Sequence, residues 1–139
     1  MNLINATEVR KKWSEFIDVV VRKHPISFKR NRDVLTILSM EHVDGMLSKY
    51  ELNMSIFNEE DGTITATLDE IDIAVNAATI EDVHEQLLTD IVQYALDYME
   101  DFEMYFHAPN RKAHFPYVYK ILLSEHDVDK LKAMIGVKE

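Results

Sequence analysis

Two groups of basic residues stand where a phosphate backbone could be followed. Arg10, Lys11 and Lys12 fall at the start of a predicted helix, and Lys29, Arg30 and Arg32 at the end of a predicted hairpin. Lys and Arg neutralise phosphates, and the amides of a first helical turn, here Thr7–Val9, add donors and a positive helix pole. From residue type alone, the same six also fit an ordinary solvated face, which is the commoner case. Downstream the chemistry is reversed. Glu81, Asp82, Glu85, Asp90, Asp97, Glu100, Asp101 and Glu103 form an acidic helix face. Asp97 and Asp101 could share acid–base work only if opposed and desolvated. Four residues apart on a polar face, they stay solvated and repel. A dock for a basic partner is the better use of such a face.

Other chemistries find no support. His107 and His114 flank Arg111-Lys112 but lie seven residues apart without a cysteine or a His-x-x-x-His helix, a poor metal pair. His24, His42, His84 and His126 are isolated. The chain lacks a Gly-x-Ser-x-Gly elbow, a phosphate loop and a dinucleotide fingerprint, and its three glycines could not build them. No catalytic residue, metal or cofactor is expected, and the chain reads as a non-enzyme. The aromatics Tyr94, Tyr98, Tyr105, Phe106, Phe115, Tyr117 and Tyr119 read as core with an interface rim.

The charges are segregated along the chain. No Lys or Arg occurs in the 61 residues between Lys49 and Arg111, which hold fifteen Asp and Glu. The formal charge is +3 over residues 1–50, −15 over 51–110 and +2 over 111–139. A basic head on an acidic body implies two surfaces with different partners. At 139 residues with 47% apolar content, the chain fits one domain or two small ones. The absence of cysteine fits a reducing compartment, and no apolar run approaches a membrane span. A cytoplasmic location without membrane contact is the default expectation.

The elements that would position these residues follow from period and punctuation. Asn2–Ile4 is a short apolar opening. Asn5 can cap a helix, with Glu8 three residues on as a capping box. Val9, Trp13, Phe16, Ile17, Val20 and Val21 then form one amphipathic stripe, ended by His24-Pro25. Strands are expected over 25–30 and 34–39 around a turn at 31–33, and a short helix from Met40 or Glu41 to about Tyr50 with Val43 and Met46 or Leu47 inward. The second half predicts strands over 52–57, 63–68 and 71–76, the first two joined across Asp61-Gly62. A long helix over 79–105 carries Ile80, Val83, Leu87, Leu88, Ile91, Ala95, Tyr98, Met99 and Phe102 on one stripe; at 1.5 Å per residue it would run about 40 Å. A loop over 108–116, a strand over 117–123 and a helix capped by Ser124 and closed by Gly136 complete the reading. The fold class is α+β.

The first fifty residues carry a resemblance. The opening MNLINATEVR, then His24-Pro25-Ile26, Lys29-Arg30-Asn31 and LTILSME at 35–41 resemble the Phd/YefM antitoxin fold in order and spacing. The resemblance implies a dimerising, DNA-binding head over 1–50 that represses its own operon, and a C-terminal region that silences a toxin. It places Arg10 and Arg30 on the family's two DNA-contacting arginines and Thr7 on its small hydroxyl position. Two departures stand out: Arg32-Asp33 falls where the family has Asn-Gly, and Trp13 where it has Leu. Leu52–Tyr98 is more weakly similar to the HicB antitoxin core through Glu60-Asp61-Gly62 and Thr79-Ile80-Glu81-Asp82.

The expectation is an antitoxin and autorepressor, with residues 51–139 as an ordered, acidic α+β domain. DNA contacts are assigned to Thr7, Arg10, Lys11, Lys29, Arg30 and Arg32. The partner, a basic toxin of the RelE ribonuclease type, would meet Asp97, Tyr98, Asp101, Phe102, Tyr105 and Phe106. A homodimer on operator DNA is expected. The alternative is a stand-alone DNA-binding regulator whose C-terminal domain senses a ligand or a protein.

Overall fold

Asn5 is the first residue whose chemistry shapes the backbone. Its side chain accepts from the Thr7 amide at 3.1 Å, which starts α1 (Ala6–Lys11) directly after the two-residue strand β1 (Ile4–Asn5). The computed structural model describes residues 3–125 and 127–137. His126, and Asn2 of the predicted opening, lie outside them. The chain divides into two compact units, Met1–Ser48 and Lys49–Glu139.

In the first unit the expected single helix is two. Lys12 leaves helical geometry (φ −117°, ψ 36°) and α2 runs over Trp13–Arg22. The hydrogen-bond ladder still passes through the bend, because Lys12 N–H donates to Glu8 O and Phe16 N–H to Lys12 O, each at 3.1 Å. No Gly or Pro marks the site, so the sequence gives no warning of the break. The bend also divides the expected stripe: Val9 and Val20 are buried, whereas Trp13 and Val21 are exposed. Glu8 pairs with Lys12 at 3.8 Å, and the described cap is Asn5 alone.

β2 (Ile26–Arg30) pairs in parallel with β1 and antiparallel with β3 (Asp33–Ile37). Arg30 opposite Asp33 leaves Asn31-Arg32 as a two-residue turn, with Asn31 at φ 56°. Asn tolerates this left-handed conformation, as short hairpins require. The turn's asparagine is therefore Asn31, which corrects the alignment of Arg32-Asp33 with Asn-Gly; Arg32 alone replaces the glycine. α3 (Met40–Leu47) is capped by Ser39, whose Oγ accepts from the His42 amide while His42 Nδ1 accepts from the Ser39 amide. Leu47 is buried, whereas Met46 is 61% exposed.

The second unit is built on a four-stranded sheet. β4 (Leu52–Asn58), β5 (Ile64–Leu68) and β6 (Ile73–Ala77) form an antiparallel meander. Gly62 takes φ 86° in the first connection, and Asp61 Oδ1 accepts from the Thr63 amide at 2.9 Å. α4 (Ile80–Glu100) starts at Thr79, whose Oγ1 accepts from the Asp82 amide. Val83, Leu87, Ile91, Ala95 and Tyr98 recur at spacings of four, four, four and three and are all buried. The helix ends sooner than its stripe predicts. Asp101 breaks it (φ −123°, ψ 55°), and α5 (Phe102–His107) sets off anew. That bend lets Phe102 and Phe106 pack on Phe115, with ring centroids 5.1 and 5.6 Å away.

Four further expectations are corrected. The predicted strand over 117–123 is α6 (Phe115–Leu123). Its Tyr, Val and Ile favour strands, but that preference yields to packing. Val118 and Ile121, three apart, are both buried, and Pro116 suits a first helical turn. The predicted loop before it holds a 3-10 turn over Lys112–His114. Ser124 does not start the last helix: it is the C-cap of α6, and its hydroxyl donates back to Ile121 O. Asp127 takes that role for α7 (Val128–Met134), accepting from the Asp129 and Lys130 amides. Gly136, expected as a helix stop, lies in β7 (Ile135–Val137), parallel to β4. The fold class is α+β.

Candidate functional site

In the first unit, residues distant in sequence meet at one cleft. Parallel pairing of β1 with β2 sets Asn5 opposite Lys29, so α1 begins beside the hairpin's tip. The cleft is lined by Asn5, Ala6, Thr7, Arg10, Arg30 and Asn31. Arg10 and Arg30 are exposed, and neither has an ion-pair partner among the described residues. Two arginines lining one cleft, neither ion-paired among the described residues, suit an anionic ligand presenting planar or bidentate acceptors. One expected donor is already in use, because the Thr7 amide bonds Asn5. Lys11, Lys29 and Arg32 are exposed but do not line the cleft, and Lys12 is paired with Glu8.

The acidic unit has a shallow cleft of its own, lined by Asp72, Ile73, Ala74, Asp90, Gln93, Tyr94, Asp97, Tyr105 and Arg111. Asp90 and Asp97 each accept from a glutamine one turn earlier on α4, Gln86 at 2.7 Å and Gln93 at 2.8 Å. Asp72 takes φ 54°, which turns the chain from β5 into β6. Beneath the cleft, Arg111 donates to Tyr94 Oη at 2.9 Å, and Tyr94 Oη lies 2.7 Å from Nδ1 of the buried His114. Tyr94 Oη and His114 Nδ1 share one hydrogen bond whose donor depends on the histidine tautomer, and His114 Nε2 lies 3.6 Å from Asp72 Oδ2. Burial pushes the His114 pKa below its ordinary value, and Asp72 opposes this only in part. Burial likewise raises the Tyr94 and Tyr98 phenols.

The expected partner residues are thus divided. Asp97 and Tyr105 line the cleft; Asp101 is exposed at the helix break and lies outside it. Phe102 and Phe106 are half-buried, stacked 5.0 Å apart within an aromatic pile. Tyr98 is wholly buried, stacked on Tyr105 at 5.2 Å and donating to Arg111 O at 2.7 Å. This corrects the expectation of an accessible anchor there: Tyr98 is core. Sequence reasoning missed Asp72, Tyr94, Arg111 and His114 as one network. One signal was available, since Arg111 is the first cation after the 61-residue gap and had to lie near unopposed acids. Among the described residues no group of three or more potential metal ligands exists. His107 is exposed against Phe106 and His114 is buried.

Comparison with known proteins adds a family. A family model for PHD-like antitoxins, of toxin–antitoxin systems of the RelE/RelB kind, matches residues 1–136. A crystal structure of an antitoxin part of a candidate toxin/antitoxin system from Syntrophomonas wolfei subsp. wolfei is similar at TM-score 0.87. The two sequences are 41% identical over 99% of each chain. No curated protein matches.

Proposed function

The chain belongs to the PHD-like family of antitoxins from toxin–antitoxin systems, and we propose that it divides two tasks between its units. The first unit is a Phd/YefM-type head that binds operator DNA as a homodimer and represses its own operon. The second captures a basic toxin of the RelE ribonuclease type. The observation that carries the DNA reading is the shared cleft of Arg10 and Arg30. An arginine that reaches a guanine edge there reads sequence, while Lys11, Lys29 and Arg32 meet phosphate and set register.

The dimer reading rests on exposed apolar surface. Trp13, Val21, Val34, Leu35, Met40 and Met46 are 45–63% exposed, whereas only Val9, Val20, Ile26 and Leu47 of the first unit's described hydrophobics are buried. A unit of that size with so small a core gains stability by covering such a surface with a second copy. The toxin reading rests on charge. The −15 over residues 51–110 repels DNA and attracts a cationic protein, chiefly by speeding encounter. Within that field, the cleft bearing Asp72, Asp90 and Asp97 is a place to seat a basic side chain.

Mobility shifts with the DNA upstream of the chain's own gene test the head. Alanine at Arg10 or Arg30 should cost about 1–3 kcal/mol on the operator and relax its specificity. Alanine at Lys11 should weaken all sequences alike and flatten the salt slope by roughly one unit. An Arg10→Ala/Arg30→Ala double variant that binds as tightly as the parent would remove the cleft from the DNA site.

A further inference from the structure

The second unit holds a cavity of different character. It has a volume of about 270 Å³ and is lined by Met54, His84, Leu87, Leu88, Lys132 and Ile135, drawn from β4, α4, α7 and β7. Its floor is Met54 and Leu87, both almost fully buried, and Leu88 and Ile135 are half-exposed walls. The polar groups stand at the mouth, where His84 and Lys132 are exposed. Among the described residues neither has an ion-pair partner, although carboxylates outnumber cations in this unit. Apolar walls offer water few hydrogen bonds, so a ligand of matching shape displaces it readily.

We propose that this cavity binds a small apolar carboxylate, with its hydrocarbon body on Met54, Leu87, Leu88 and Ile135 and its carboxylate between Lys132 and His84. Size sets the class first. At about 270 Å³ the space lies just below the roughly 300–1,000 Å³ typical of pockets for drug-sized molecules, so it suits a small ligand. Polarity sets it next. Two donors at one end of an otherwise apolar lining satisfy one carboxylate, whereas a phosphate or a sugar would leave acceptors unpaired against hydrocarbon. Lys132 supplies a full charge, and His84 offers an N–H in either protonation state. Because the lining draws on β4, α4, α7 and β7, an occupant would touch both the C-terminal strand and the meander. This site is separate from both clefts of the antitoxin reading and does not depend on it.

The test is a titration of the full chain with sodium hexanoate, with hexanamide as the uncharged control, followed by methyl NMR. Hexanoate should give saturable shifts at Met54, Leu87, Leu88 and Ile135, half-saturating in the millimolar range expected of so small a ligand. Hexanamide should bind about tenfold more weakly, since it lacks the charge-assisted bonds. Lys132→Met should bring hexanoate to the level of the amide and leave the amide unchanged; as an exposed position it does not put folding at risk. Leu88→Trp should fill the cavity and abolish both responses. The proposal is overturned if no shift saturates by about 50 mM, if acid and amide bind alike, or if Leu88→Trp, with its spectrum otherwise native, still binds.

Discussion

Tyr98 separates a core residue from a contact residue, and its hydroxyl and ring can be removed in turn. The ring is fully buried among Tyr94, Phe102, Tyr105 and Phe115, with centroids 5.2–6.4 Å away. Tyr98→Phe deletes only the bond to Arg111 O. That carbonyl still accepts from the His114 amide at 3.1 Å, so the loss falls near the ordinary value of about 1 kcal/mol rather than that of an orphaned group. Tyr98→Ala removes the ring and leaves a cavity, which costs about 3–5 kcal/mol. A unit of about 90 residues is stable by roughly 5–14 kcal/mol, so the alanine variant sacrifices about a fifth of it or more. Urea titration by far-UV circular dichroism measures both, and Trp13 fluorescence, arising from the first unit, serves as the internal control. The phenylalanine variant should show a small drop in midpoint and unchanged toxin binding. A Tyr98→Ala midpoint equal to the parent's, or a Tyr98→Phe variant that folds fully but no longer binds toxin, would refute the assignment to the core.

Further outcomes follow from the same structure. His114 is buried with its pKa pushed below the ordinary 6.5, so the stability this confers is complete above that pH and is lost as pH falls below it. Melts between about pH 5 and 8 should therefore slope less in His114→Gln than in the parent, and equal slopes would contradict this. The raised phenols of Tyr94 and Tyr98 act at the other extreme: their contribution is complete below the ordinary value of 10.0 and is lost as pH rises past it. Asn5→Ala removes the side-chain cap of α1 and should lower the first unit's stability by about 1 kcal/mol, read by Trp13 fluorescence. Charging the three most exposed hydrophobics of that unit, as Val21→Glu/Val34→Lys/Met46→Glu, should yield a folded monomer by light scattering if the head dimerises through this surface. A dimer of undiminished stability would place the contact elsewhere.

Where a local rule was strong, the sequence disclosed the element. Asn5 and Thr79 announced their helices as caps, and Asp61-Gly62 announced a hairpin. The long helix showed itself through apolar spacing alone. Arg10 and Arg30 stood out by charge and Thr7 through the resemblance, and the structure brings all three to one cleft. What stayed hidden was set by packing. The breaks at Lys12 and Asp101 have no Gly or Pro to mark them. α6 is written in strand-favouring residues and becomes a helix because Val118 and Ile121 must share one buried face. Ser124 and Asp127 are equally good caps on paper, and only the end of α6 decides between them. Tyr98 looked like an anchor because an aromatic near a helix end suits an interface and a core alike. Fifteen residues of buried core in the second unit claimed it.

The central claim is that the two units carry separable functions, and co-expression tests it most directly. The cognate toxin is expressed in a host at a level that arrests growth. The parent chain should restore growth and shift its own upstream DNA. The Arg10→Ala/Arg30→Ala variant should restore growth equally well and fail to shift the DNA. If the parent gives no relief, or if the double variant loses relief and DNA binding together, the division of labour between a basic head and an acidic body is wrong.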